Sequence, residues 1–177
     1  MSFLFEDCIS LSSIDLSNFD TSEVTTMEGI FFGCYSLEYA NLMSLNTLNL
    51  LDMASMFYRC NSLTSINLSS FDTSKVTNME DLFYDNVCLK EINLSNFNTS
   101  NVKSMNNMFH SCKLLKSINV TNFDTYNVET IGSMFENTES LTSIDLSSFD
   151  TSSVFDMASM FSNCISLKSL NLSNFFF

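Results

Sequence analysis

Apolar and polar residues alternate in short segments of the form L-x-x-I-N-L: Leu63, Ile66 and Leu68; Leu89, Ile92 and Leu94; Leu115, Ile118 and Val120; Leu141, Ile144 and Leu146. A period close to two puts these side chains on one face and Ser65, Asn67 and Ser69, with their equivalents, on the other. Each segment is therefore expected to be a short strand buried on one side. A second pattern follows, V-x-x-M-x-x-M-F, as in Val76, Met79, Leu82 and Phe83 or Val102, Met105, Met108 and Phe109. Apolar residues three and four apart predict one face of a short helix. Between the two lies Ser-Asn-Phe-Asp-Thr-Ser or a close variant. Its Phe is expected to turn inward, and its Asp, Thr and Ser to cap the helix N-terminus.

The two patterns return together every 26 residues along the whole chain. One Phe register runs through Phe5, Phe31, Phe57, Phe83, Phe109, Phe135 and Phe161 without a gap. A second falls at Phe19, Phe71, Phe97, Phe123, Phe149 and Phe175, with Leu45 at the missing beat. A fixed period without insertions is the signature of a solenoid. The expected fold is an α/β repeat solenoid of the leucine-rich-repeat type, with one parallel sheet face and short helices opposite. Strands stacked at about 4.8 Å would make seven coils span roughly 30 Å. Residues 1–177 read as a single solenoid, since a repeat array builds its core by stacking coil on coil.

Residues 1–16 align with residues 157–172, so the chain opens in mid-repeat and in phase. It also stops in mid-repeat, with Phe176 and Phe177 where an Asp-Thr turn belongs. Neither end carries the polar cap that shields a terminal apolar layer. The expectation is a segment of a longer array.

Composition narrows the partners. The 177 residues are 45% hydrophobic, with eighteen Phe, eleven Met, three Gly and no Pro or Trp, so the turns depend on Asn, Asp and Ser bonding to nearby backbone. The formal net charge is −13, with only seven Lys and Arg. Such a surface repels phosphate backbones and anionic headgroups, which argues against nucleic acid. No apolar run approaches the roughly 20 residues that span a bilayer, so no direct membrane insertion is expected. The N-terminus lacks the basic region and apolar stretch of a signal peptide.

Taken as a whole, L-x-x-I-[ND]-L-S-[NS]-F-[DN]-T-S-x-V-x-x-M-x-x-M-F-x-x-C resembles the BspA-type leucine-rich repeats, the DUF285 family, from end to end. The resemblance implies a leucine-rich-repeat solenoid on a cell surface or secreted, with a role in adhesion or partner binding. It carries over no catalytic residue.

Cys8, Cys34, Cys60, Cys112 and Cys164 share one repeat position, interrupted by Asn86 and Thr138, with Cys88 two residues out of phase. Neighbouring coils would bring such side chains within disulfide range, so Cys8–Cys34 or Cys34–Cys60 bridges are conceivable. Buried free thiols acting as small apolar fillers are the simpler reading. No Cys-x-x-Cys or Cys/His pairing supports a metal site, and no cofactor is expected. The column Asp20, Asp72, Asp124 and Asp150 lacks the clustered oxygen ligands of a calcium loop, and capping accounts for it. His110, the one histidine, has no partner set by the repeat, so an enzyme is not expected.

The outward strand positions are the expected working surface: Ser65 and Asn67, Glu91 and Asn93, Ser117 and Asn119, with Asn41 in the second coil. Departures from the repeat add candidates. Tyr39 and Met43 replace Ser on the second coil, Leu48 and Leu51 replace polar residues nearby, and Phe32, Tyr58, Tyr84 and His110 form an aromatic column. Asn67, Asn93, Asn98, Asn119 and Asn171 fall in N-x-S/T sequons generated by the repeat. These features point to a non-enzymatic module that binds a protein or a glycan. A structural spacer is the alternative, and an ice-binding Thr column (Thr21, Thr73, Thr99, Thr125, Thr151) a more distant one.

Overall fold

The computed structural model describes residues 1–176; Phe177, read above as displacing the final turn, lies outside the described residues. Equivalent residues of successive coils lie over one another, and the interior is a single apolar cluster running from coil to coil. The gap-free Phe register forms a stack, with ring centroids 5.6–5.9 Å apart from Phe5 to Phe161. In the second register Phe71, Phe97, Phe123 and Phe149 are buried, and the rings of Phe123, Phe149 and Phe175 stack at 6.4 Å. Phe19, on the first coil, is 41% exposed.

The helices are not there. Among the described residues the segment carrying Met79, Leu82 and Phe83 is a run of tight turns. Half of its N–H groups bond backward within the coil, Leu82 to Met79, Tyr84 to Asp81 and Asn86 to Phe83. The others bond sideways into the next coil: Met79 to Ser104, Asp81 to Asn106, Phe83 to Met108 and Asp85 to His110, at 2.8–3.0 Å. An α-helix would close all of these bonds on itself. The turns leave the inward positions at i, i+3 and i+4, the spacing a helix gives, and that is why the apolar pattern is compatible with either.

This geometry needs left-handed backbone twice per coil. Positive φ occurs at Gly29, Ser55, Asp81, Asn107, Ser133 and Ser159, and again at Gly33, Arg59, Asp85, Ser111, Asn137 and Asn163. Gly, Asn and Asp tolerate this region best, and they fill seven of these twelve sites. At Gly29 the requirement is twofold, since a Cβ there would also strike the ring of Phe3.

The sheet also differs from expectation. Among the described residues, strands form only near the two ends, as parallel pairs: β1 (Ser13–Asp15) with β2 (Tyr39–Asn41), and β3 (Ser143–Asp145) with β4 (Ser169–Asn171). The inside–outside alternation holds in the inner coils, with Leu63, Ile66 and Leu68 buried and Ser65, Asn67 and Ser69 exposed, while in β4 all three residues are exposed. The unbroken ladder lies on the turn side, where parallel bridges link Thr26, Asp52, Asn78, Ser104, Thr130 and Asp156 in succession. Ring spacing there is 4.4–4.6 Å from Phe32 to His110. Inter-coil backbone bonds run without a break along this turn ladder, whereas on the strand side they are sparse in mid-array among the described residues, and the sheet is interrupted there.

The residues expected to cap helices do other work. Asp20, Asp72, Asp124 and Asp150 each accept a bond from the backbone N–H two residues on, closing an Asx turn at 2.8–3.1 Å. For Asp20, Asp72 and Asp150, bonds from Ser22, Ser74 and Ser152 hold the carboxyl below its ordinary value. The threonine after each is buried. Thr99 Oγ1 donates to the carbonyl of Asp124 and accepts from its N–H, both at 2.8 Å, and Thr21, Thr73, Thr125 and Thr151 do the same to the next coil. A buried column offers no surface on which to order water, which removes the ice-binding reading.

Thr99→Val keeps the shape but strands both peptide groups of Asp124. It is expected to cost about 1–3 kcal/mol in denaturant unfolding, with Thr99→Ser, which keeps the hydroxyl, recovering most of the loss. Asp81 supplies a second test. It sits at positive φ with Oδ1 buried and unpartnered, and burial, reinforced by Glu80, raises its pKa. Its ionised form therefore opposes folding at neutral pH, and stability is regained as pH falls through the raised value toward the unfolded one. Asp81→Asn should raise the unfolding midpoint at pH 7, and the gain should vanish in acid, where both side chains are neutral.

Candidate functional site

The strand side is built by alternation: each inward Leu, Ile or Val places a Ser, Asn, Asp or Glu beside it facing out. Asn67, Asn93 and Asn119 are exposed, and each uses Oδ1 to accept the N–H two residues on, from Ser69, Ser95 and Thr121, at 3.0–3.1 Å. Their Nδ2 groups have no partner among the described residues. Near the ends the same position is tied up differently, since Asn41 and Asn171 donate to Asp15 and Asp145 at 3.0 Å. The hydrogen bonds hold the carboxyls of Asp15 and Asp145 low, those from Ser17 and Ser147 contributing most.

In mid-array, where strand-side backbone bonds are sparse, lies a shallow cavity of about 340 Å³ lined by Ser65, Ile66, Asn67, Glu91, Ile92 and Asn93. The one backbone bond across this junction near it runs from Lys90 N–H to the Thr64 carbonyl, at 3.0 Å. The peptide groups of Ile66 and Ile92 make no hydrogen bond among the described residues. Four of the sequence candidates, Ser65, Asn67, Glu91 and Asn93, are thus brought together around one opening. Nothing in the alternation of residues signals that opening.

Tyr39 and Met43 lie on the second coil, 60% and 49% exposed, with Leu48 and Leu51 also exposed farther along it. Met43 Sδ takes a long contact from Ser69 Oγ at 3.9 Å, which links the patch to the third coil. Asn119 stands on the fifth coil, apart from the cavity.

Tyr58 and Tyr84 project from the turn ladder and not from the strand segments. Phe32, Tyr58, Tyr84 and His110 stack at 4.4–4.6 Å, within 7° of parallel, so their faces are spent on one another and only edges reach solvent. Arg59 lies 5.4 Å from the Tyr58 ring centroid and pairs with Asp85 at 3.4 Å. Burial lowers the His110 pKa despite Glu136 and Asp85, so at neutral pH its Nε2, 4.0 Å from Glu136, faces the carboxylate uncharged.

All six cysteines are free, so neither conceivable disulfide forms. Cys34, Cys60, Cys112 and Cys164 point Sγ at the carbonyl of the Phe in the preceding coil, at 3.1–3.3 Å, and Asn86 replaces the thiol with Nδ2 at 2.7 Å from Phe57. Burial pushes the Cys34 thiol up to about 11 and raises Cys60, Cys112 and Cys164 as well. Among the described residues no group of three His, Cys, Asp or Glu is placed to hold a metal ion, and no helix is long and apolar enough to cross a membrane.

Stacked parallel coils, a Leu and Phe core, and an exposed row of hydroxyl and amide groups define a solenoid repeat protein. The chain belongs to the DUF285 family, described as Mycoplasma protein of unknown function, whose profile matches residues 1–113 and 85–175. Among solved structures it is similar to a leucine rich cell surface protein from Faecalibacterium prausnitzii A2-165, with 16% identity and a TM-score of 0.41. That match covers 96% of this chain and 62% of the other. No curated protein matches the sequence.

The thiols give a direct check on the column. With a chromogenic disulfide reagent, exposed Cys8 should react first and Cys88 and Cys164 more slowly, while buried Cys34, Cys60 and Cys112 stay silent until denaturant is added.

Proposed function

We propose that this chain is a non-enzymatic binding module, displayed on a cell surface or secreted, that contacts a protein or glycan through its strand side. The observation that carries the reading is the opening around Ser65, Asn67, Glu91 and Asn93, where unclaimed amides, hydroxyls and peptide groups converge. Polar groups left without internal partners are available to a ligand that supplies complementary donors and acceptors, which suits a sugar or an extended polypeptide. The exposed Tyr39 and Met43 supply the apolar contact beside it. With a net charge of −13 the favoured partner surface is neutral or basic.

Binding to arrayed glycans and to surface extracts would be compared for the wild type, for Tyr39→Ser with Met43→Ser, and for Asn67→Ala with Asn93→Ala. A tenfold or greater loss in both double variants, about 1.4 kcal/mol each, is expected. Unchanged binding in the first would remove the apolar pair from the site. Full function with the whole strand side scrambled among Ser, Thr and Asn would leave a spacer as the role.

A further inference from the structure

Asn41, Asn67, Asn93 and Asn119 occupy one outward column, one residue to a coil. Asn41 spends its Nδ2 on Asp15. In the next three coils the amide is divided between two tasks. Oδ1 closes a turn by accepting the N–H two residues on, at 3.0–3.1 Å, and Nδ2 has no partner among the described residues. At Asn119 the oxygen also accepts from Thr121 Oγ1 at 2.8 Å. These coils therefore present, along the solenoid axis, a row of hydrogen-bond donors whose amide oxygens are already engaged.

The spacing of that row selects what can follow it. Parallel bridges join the coils without a break from Thr26 to Asp156, so equivalent atoms recur about every 4.8 Å. An extended polypeptide repeats its same-side groups about every 6.7 Å, and laid along the axis it is about 2 Å out of step at the second coil. That error exceeds the range of hydrogen-bond distances. A polypeptide laid along a single coil meets only one of the three amides. A chain of β-linked pyranoses advances by about one coil for each ring, and every ring carries oxygens on both edges that accept a hydrogen bond. Donors alone suit such a chain even when alternate rings are turned over.

The surroundings agree in polarity and charge. The Tyr39 ring, 60% exposed, stands one coil before Ser65, and Ile66 and Ile92 lie in the wall of the opening, so the C–H faces of sugar rings find apolar contacts. Glu91, exposed in the middle of the row, has no ion pair among the described residues, and the chain carries a net charge of −13. Uronate or sulfated chains are repelled by this arrangement, and an uncharged one is not. We propose that the ligand of the strand side is a neutral, extended, β-linked polysaccharide lying across the coils, one ring to each from Tyr39 to Asn119. This rests on the binding role proposed above and names its ligand.

Isothermal titration calorimetry of the whole chain would use β-1,4-linked oligomers of glucose and of N-acetylglucosamine, from two to six rings long. In whichever series binds, affinity should rise at least tenfold from two rings to four and level off beyond, because four coils are engaged. Oligomers of α-linked glucose, which coil out of step, and uronate oligomers of equal length should bind at least tenfold more weakly. Asn119→Ala, outside the opening, should weaken the four-ring oligomer about tenfold and leave the two-ring oligomer unchanged. Should that variant fail to fold, the length and linkage dependence of the wild type decides. Affinity independent of length, equal binding of α-linked or acidic chains, or no binding of either neutral series would overturn the proposal. In that last case, capture of an extended polypeptide through Asn67 and Asn93 would leave the binding module standing with a different ligand. Full function with the strand side scrambled would remove both.

Discussion

The sideways hydrogen bond of the turn segment is the constraint on which this structure rests. From Met27 to Gly33, and at the same place in the later coils as far as Asn137, every second N–H leaves its own coil for a carbonyl of the next. Those bonds fix the distance between coils and the register between them. Once register is fixed, like must meet like: Phe31 lies on Phe57, Phe57 on Phe83, and so on through the array. The apolar stack then reinforces the ladder that positioned it, which is the cooperative pattern expected of a one-dimensional repeat protein.

A ladder of this kind leaves other backbone groups to be satisfied, and small polar side chains are used for that purpose. Thr21 and its equivalents answer both peptide groups of one residue in the next coil. Asn96 and Asn122 each bond two carbonyls of the preceding coil, at 2.9–3.0 Å. The thiol column serves the Phe carbonyls. Buried polar groups without partners are costly, so a chain with three Gly and no Pro needs its many Ser, Thr and Asn inside the frame as well as on the surface.

The period, the inward residues and the outward row were all legible, because they depend only on which residues recur. The turn ladder was not, because its inward positions at Met79, Leu82 and Phe83 have helical spacing. A clue was present at the left-handed sites: a helix interior does not favour Gly29, Asp81 and Asn107 in one column, and Gly33, Asp85 and Asn137 in another. The threonines were misleading for a related reason, since Asp-Thr-Ser suits a helix start as well as an Asx turn followed by a buried hydroxyl. Of the candidate site, the identity of Ser65, Asn67, Glu91 and Asn93 could be read from the repeat. Their gathering around one opening could not, since it depends on which strand-side peptide groups pair from coil to coil, and no single residue encodes that.

The strand side is bonded unevenly. Between β1 and β2 its peptide groups are spent on one another. In mid-array, where the inter-coil bonds are carried by the turn ladder, the strand side is left under-bonded among the described residues, and outward side chains gain peptide groups as neighbours. The same ladder removes Tyr58 and Tyr84 as flat platforms by pressing the rings face to face. Substitutions on the strand side touch neither the ladder nor the core, so Tyr39 and Met43 can depart from the repeat while the coil beneath them keeps its course. A frame that demands so little of one side leaves that side free to be fitted to a partner.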